Sequence, residues 1–467
     1  MLVDFVKHIH TTGREKARTK HTTISEVVFW AVLVLFVGEA LAVALTASYP
    51  LPIDESYHFG LIQFFSHQWL PFVHTQPAGT YQFGDITHYD SYLYHYLMSF
   101  PLRIIELFTQ SQQTQVILLR VLSIGMFVGA FVLLRRILRD MRVSQWAINV
   151  ALLIYVLLPM VPFWAAHVNY DSLFTLTLVV FVRLGQRVIT SRQAVVRRRL
   201  IALFLSVGLL GCLVKYSFVP VAFVGIVTVG VCLWRHRRSI SRRQVKNYDM
   251  HEKLLLAGVG LLLLVSGGLF VQRYGVNLMT YHAIEPDCAR LHTVAECQEY
   301  GAWSRNYSLK EVAAQAPQVT HNPLKYLKDF WLPINLRTIG GTYSSTGGTP
   351  PLATAMKLAL LLLVGGIVAV LVLSVRGVVR DRALLFIVGI TVAYGAALFI
   401  NNFSQFEAFR SVVAVQGRYM LPFLPALLAV AIWQVYTTAA MSVRAVRARL
   451  RKVEGEVPSL LLEDAEI

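Results

Sequence analysis

Asp54 and Glu55 stand side by side in the run Tyr-Pro-Leu-Pro-Ile-Asp-Glu-Ser-Tyr-His-Phe-Gly, with His58 one helical turn beyond Asp54. Pro52 disfavours helix in the residue before it and Asp is a favoured N-cap, so a helix is expected from Asp54 to about Trp69. A carboxylate so placed can take a proton from a bound hydroxyl, or do no more than cap the helix, and the residues leave both open. Phe59, Ile62 and Trp69 fall on one side of that helix and His58, His67 and Gln68 face elsewhere, which suits a helix lying in a membrane interface.

Basic and polar groups recur beside other apolar stretches. Asn169, Tyr170 and Asp171 open one stretch, Lys215 lies between two, and Gln416-Gly417-Arg418 opens another. Lys215 and Arg418 could meet a phosphate, or snorkel to lipid headgroups. Glu39 and Arg120 fall inside apolar stretches, where an ionisable side chain is costly and is functional or paired. His88 belongs to a second amphipathic piece, Thr87 to Pro101, whose tyrosines fit an interfacial belt better than stacking on sugars.

Cys288 and Cys297 would close a ten-residue ring in an oxidising compartment. Chain entropy puts such a structural disulfide at roughly 2–3 kcal/mol, and the spacing matches no zinc motif. Cys212 and Cys232 fall in apolar stretches, where a thiol behaves as a small hydrophobe. There is no Walker loop, Gly-rich dinucleotide turn, His-Glu-x-x-His or Ser-x-x-Lys signature.

The elements that must hold these groups are membrane helices. Of 467 residues, 55% are hydrophobic and 15% charged, whereas a soluble domain is nearer a quarter charged. Apolar stretches recur at 26–48, 115–134, 144–163, 169–187, 200–215, 218–234, 254–272, 352–375, 383–401 and 419–440. Most have about the length that a helix needs to cross the bilayer. The expected fold is therefore an all-α polytopic membrane protein with about ten transmembrane helices.

The net charge of +17 invites a nucleic-acid reading, but its placement argues against one. Segments 1–25, 135–143, 183–199, 235–253, 376–382 and 441–467 hold 30 of the 43 Lys and Arg, and segments 49–113, 273–351 and 403–418, which include the two longest loops, hold 10. This positive-inside bias puts both termini in the cytoplasm, as a basic arm 1–25 and a tail 441–467 around a membrane domain 26–440. Loops 49–113 and 273–351 then lie outside, and loops of that length usually carry function. The polar arm before the first apolar run argues for a retained anchor, not a cleaved signal. Within 273–351 two glycine pairs flank Tyr343, which suits either a lid over substrate or a passive linker.

Taken in order, Asp54-Glu55-x-x-His58, the Asn169-Tyr170-Asp171 helix start, the paired outer cysteines and Gln416-Gly417-Arg418-Tyr419-Met-Leu421-Pro422 are distinctive. On a layout of basic arm, one span, acidic outer loop, juxtamembrane helices and further spans, they resemble the GT-C superfamily of membrane glycosyltransferases. Protein O-mannosyltransferases and the aminoarabinose transferases of lipid A belong there, as does the uncharacterised bacterial membrane-protein family to which the likeness is strongest.

The resemblance implies transfer of a sugar from a polyprenyl-phosphate donor to a glycan, lipid or protein acceptor, on the outer face of the bacterial cytoplasmic membrane. Asp54, with Glu55 beside it, would be the general base, and the anomeric carbon would invert. One carboxylate suffices where the leaving group is a phosphate that needs no proton. Lys215 and Arg418 would meet that phosphate, with Arg120 and His88 behind them, and His58, Asn169, Asp171 and Tyr343 would complete the substrate site. Some relatives hold a divalent ion through an Asp-x-Asp pair, which the first loop lacks. Glu55 and Asp171 could contribute to a metal site, but metal-independent chemistry is the expectation.

Two other functions compete. A transporter or flippase of a lipid-linked glycan would need polar residues at mid-membrane in broken helices of matching halves, to which only Glu39 and Arg120 point. A non-catalytic partner in envelope glycan assembly would keep Asp54 apart from Lys215 and Arg418.

Overall fold

The computed structural model describes residues 2–236, 250–315, 321–340 and 382–456, except 90 and 192, with a few positions between 365 and 375. Tyr343 with its flanking glycines, and most of the expected span 352–375, lie outside the described residues.

Every regular element among the described residues is helical. The first half of the chain runs α1 (Leu2–Thr46), α2 (Glu55–Ser66), α3 (Leu93–Glu106), α4 (Gln112–Asp140), α5 (Gln145–Val156), α6 (Met160–Ala165), α7 (Tyr170–Thr190), α8 (Ala194–Val214) and α9 (Phe218–His236). The second half runs α10 (Met250–Phe270), α11 (Val276–Tyr281), α12 (Val294–Gln298), α13 (Gly301–Gln315), α14 (Pro323–Tyr326), α15 (Leu332–Ile339), α16 (Arg382–Phe409) and α17 (Leu424–Glu456).

Six helical runs among the described residues are long and apolar enough to cross a membrane. They are Thr23–Thr46, Gln112–Asp140, Tyr170–Thr190, Phe218–Arg235, Met250–Tyr281 and Arg382–Phe409, while Gln145–Val156 and Leu424–Ala439 are shorter apolar helices. The expected span 144–163 is broken in two. Ser144 caps α5 through the Ala147 amide at 3.2 Å, and α6 restarts after Pro159, which has no N–H to continue the ladder. The expected span 200–215 begins earlier, at Ala194, and takes Arg197, Arg198 and Arg199 into its first turns, where Arg199 pairs with Glu252 at 3.3 Å.

The bundle is apolar outward as well as inward. Phe36, Phe127, Phe131 and Tyr155 are buried in one continuous core, while Val34, Phe223, Leu264 and Ile400 are exposed on the outer surface. Long apolar faces of this kind are stable against lipid and not against water. At one end of the α1/α4 pair, Arg135 and Arg139 meet Glu26 at 2.7 and 3.3 Å. At the other end the Gln113 amide donates to the Ala47 carbonyl at 3.2 Å, beside the chain that leads to Asp54. The basic end of α4 and the chain that leads to Asp54 therefore sit at opposite ends of this pair.

The segment after α11 is stapled as its sequence implies. Cys288 and Cys297 are joined with Cα atoms 5.8 Å apart, and Thr293 and Glu296 form a capping box on α12 within the ring. Replacing both cysteines by Ser is expected to lower the local stability of this ring by about 2–3 kcal/mol. The change would be read as faster protease cleavage between residues 282 and 300 while the helical bundle stays intact.

Candidate functional site

The link from α1 to α2 is short and tightly bent. Ile53 and Asp54 both take left-handed backbone angles, with φ of 75° and 67°. This is rare for a β-branched residue, and such strain costs about 1–3 kcal/mol per residue unless its surroundings over-determine it. Here they do. Glu55 is fully buried and its carboxylate accepts from the Leu51 amide at 2.6 Å and the Val168 amide at 3.2 Å. Arg120 reaches the same carboxylate as a fork, Nε at 2.9 Å and Nη2 at 2.7 Å, while its Nη1 donates to the Ala44 and Ala47 carbonyls. His167 Nε2 donates to the Pro52 carbonyl at 3.0 Å. Burial would push the Glu55 carboxyl up, but the Arg120 hydrogen bonds hold it below the ordinary carboxylate range.

Glu55 and Arg120, both expected at the chemistry, are thereby corrected to a pair that holds the turn from behind. The expected cap is corrected too. Asp54 occupies the N-cap position of α2, but its left-handed backbone takes the carboxylate off the helix end and it makes no capping bond. The side chain is 55% exposed and its Oδ2 lies 3.1 Å from Arg418 Nη2. The helix also stops at Ser66, short of Trp69.

Arg418 stands on a 3-10 turn, Gly417–Met420, packed against α15. Its guanidinium is buried 4.2 Å over the Trp164 ring and 5.0 Å from that of Tyr419, and among the described residues its Nε finds no hydrogen-bond partner. Lys215, at the C-terminal end of α8, pairs with Asp171 at 2.5 Å and lies over Tyr170 and Tyr419 at 4.5 and 4.4 Å. Asp171 also accepts from Trp164 Nε1 at 3.1 Å. Two ion pairs, Asp54–Arg418 and Asp171–Lys215, thus share one aromatic lining. Asn169 lies beneath them, its side chain spent on the Asp171 amide at 2.6 Å and on the Trp164 and His167 carbonyls.

Gly417 is what lets Arg418 come so close. A Cβ there would fall 2.2 Å from the Asn335 carbonyl oxygen and 2.5 Å from Ile339, and the Gly417 amide donates to Thr338 Oγ1 at 2.6 Å. Gly417→Ala is expected to destabilise the protein by about 1–3 kcal/mol, as overpacking does, and to shift Arg418 away from Asp54. Thermal unfolding and the reactivity of an Asp54→Cys reporter in that background would measure the two effects.

These groups face a cavity of ≈ 800 Å³ lined by Asp54, His58, Tyr170, Arg418 and Tyr419 on the bundle side, and by Tyr57, Glu285, Tyr300 and Arg305 on the other. His58 Nδ1 and His95 Nε2 share a hydrogen bond of 2.8 Å. Burial pushes both imidazoles well below their ordinary pKa, helped at His58 by neighbouring imidazoles and by Arg418 and Lys215, so the pair stays neutral. Lys215, Asn169, Asp171, Glu55 and Arg120 lie behind the cavity wall, and His88 lines a separate, smaller pocket. Glu55 and Asp171, the carboxylates considered for a divalent ion, each face a cation instead. Among the described residues no three His, Cys, Asp or Glu side chains gather as a metal site. Glu285, Tyr300 and Arg305 escaped sequence reasoning because they are single residues in a long loop, with no motif around them.

A family model described as predicted membrane protein (DUF2142) matches residues 65–427, which takes in Arg120, Asp171, Lys215, the cysteine pair and Arg418. No curated protein and no solved structure matches. With more than half of its length inside that match and six helices able to cross a bilayer, the chain belongs to the DUF2142 family of predicted membrane proteins.

Proposed function

We propose that the chain is an inverting glycosyltransferase that moves a sugar from a polyprenyl phosphate to an acceptor hydroxyl, at the outer face of a bacterial cytoplasmic membrane. One observation carries the reading: an exposed carboxylate, Asp54, stands 3.1 Å from a buried arginine, on the wall of a cavity of ≈ 800 Å³.

Asp54 takes the acceptor proton as the acceptor oxygen bonds to the anomeric carbon. The bond from that carbon to the phosphate oxygen breaks, and the phosphate leaves with the electron pair. Attack opposite the leaving group inverts the centre. Arg418 meets the charge growing on the phosphate, its Nη2 turning from the Asp54 carboxylate to a phosphate oxygen. Protonation of Asp54 removes the countercharge from Arg418 at the moment the phosphate needs it. Lys215, paired with Asp171 and set over Tyr170 and Tyr419, fixes the aromatic lining behind the site.

The sequence resemblance to the GT-C superfamily supports the same reading. A flippase finds less support, since Arg120 is consumed by Glu55 and offers nothing to a passing headgroup. The test gives the purified chain in nanodiscs a polyprenyl-phosphate sugar, labelled in the sugar, with acceptor extracted from cell envelopes. The expected products are free polyprenyl phosphate and a labelled acceptor of opposite anomeric configuration. A donor that stays intact with every envelope fraction would overturn the proposal.

A further inference from the structure

Beside the main cavity lies a pocket of ≈ 290 Å³, and Tyr57, Tyr89, Glu285 and Tyr300 line both. Its remaining walls come from the first outer loop, Phe83 to His88, and from the second, Pro286 to Trp303. Asp85 clamps the two loops together. Its Oδ1 accepts from the Thr87 amide at 3.1 Å and from His292 Nε2 at 2.9 Å, and its Oδ2 accepts from the His88 amide at 2.8 Å. Asn277 ties the same loops by donating to the His88 and Ile284 carbonyls, both at 3.0 Å. The disulfide fixes Cys288 in the wall. The pocket is thus built by packing and hydrogen bonds in both loops.

Its chemistry differs from that of its neighbour. Among the described residues no Lys or Arg lines it, and its charged groups are Asp85, Glu285 and Asp287. Burial would raise the Asp85 carboxyl, but hydrogen bonds from His88, Thr87 and His292 hold it well below the ordinary range, so it stays an anion. Burial and the Asp85 charge push Glu285 the other way. Glu285 is exposed on the cavity wall although protein surrounds it. Tyr57 and Tyr300 stack at 5.6 Å, and the Trp303 ring completes an aromatic lining. Phosphate or another anion would meet carboxylates without a cation here. A polyhydroxylated ring meets flat apolar faces for its C–H side and carboxyl and imidazole groups for its hydroxyls.

We propose that this side pocket is a saccharide subsite that holds one uncharged or amino-bearing sugar ring, with Glu285 and Tyr300 at its junction with the Asp54 cavity. That this sugar belongs to the acceptor rests on the transferase reading; that the pocket binds it does not.

The test therefore contains no donor. Glucose, N-acetylglucosamine and glucosamine are titrated separately into the full-length chain in nanodiscs and followed by saturation-transfer NMR, with glucuronate and inorganic phosphate as anionic comparisons. At least one of the three sugars is expected to bind, with Glu285→Gln weakening it about tenfold through loss of the carboxyl hydrogen-bond partner. Tyr300→Leu is expected to weaken it by about three- to tenfold through loss of an aromatic face. Unchanged thermal unfolding of both variants shows that the fold is intact. No sugar binding to the wild type, affinity unchanged in both folded variants, or preference for glucuronate or phosphate would overturn the proposal. Sugar binding that survives while the donor assay fails would overturn the transferase reading alone.

Discussion

Asp54→Asn is expected to lower sugar transfer by about 10²–10⁴-fold, the range over which a positioned general base contributes. The substitution keeps size and shape, and Asn tolerates left-handed backbone angles as well as Asp does, so the φ of 67° at this position remains accessible. What disappears is the proton acceptor. The Asp54–Arg418 pair is half open to solvent on the carboxylate side, and such pairs add little to stability, so the unfolding temperature should barely move. The loss then falls on kcat and not on KM for the donor, because Arg418 keeps its charge and gains freedom to meet the phosphate. Initial rates over a donor titration separate the two constants. A rate equal to wild type would remove Asp54 from the chemistry.

The same residue shows how far the sequence could be read. The hydrophobic stretches located most of the helices because length and apolarity are local properties, and the cysteine ring closed because ten residues hardly allow the two thiols to part. The nearness of Arg418 to Asp54, 364 positions apart, was reachable only through a motif resemblance. What failed was direction. Neighbouring residues on a helix diverge by about 100°, and two left-handed residues before α2 turn that divergence into opposite fates: Asp54 faces the cavity and Glu55 the buried Arg120. Asn169 looked like a ligand and is a cap, since its carbonyl oxygen sits 2.6 Å from the Asp171 amide. The break at Pro159 was visible in the residue, but the apolar run on either side concealed it. Glu285 became part of the site only through the folding of the segment after α11 onto α2, which no local pattern records.

The pair behind the turn gives the largest expected effect on stability. Arg120→Met leaves the Glu55 carboxylate buried without its fork, and breaking a buried pair on one side costs about 3–5 kcal/mol. The double variant Glu55→Leu with Arg120→Met removes both charges and is expected to regain most of that loss, since apolar replacement of a buried pair is often neutral. Activity should not return with it. The Leu51 and Val168 amides would lose their shared acceptor, and the backbone strain at Ile53 and Asp54 would lose its restraint. The turn can then relax, carrying the Asp54 carboxylate away from Arg418, and misplacement of a catalytic group by about 1 Å is enough for a 10²-fold loss. Thermal unfolding of the two variants in nanodiscs, set beside their transfer rates, tests both halves. A double variant that is as active as wild type would mean that the turn is held by other contacts, and that Glu55 and Arg120 serve the bundle alone.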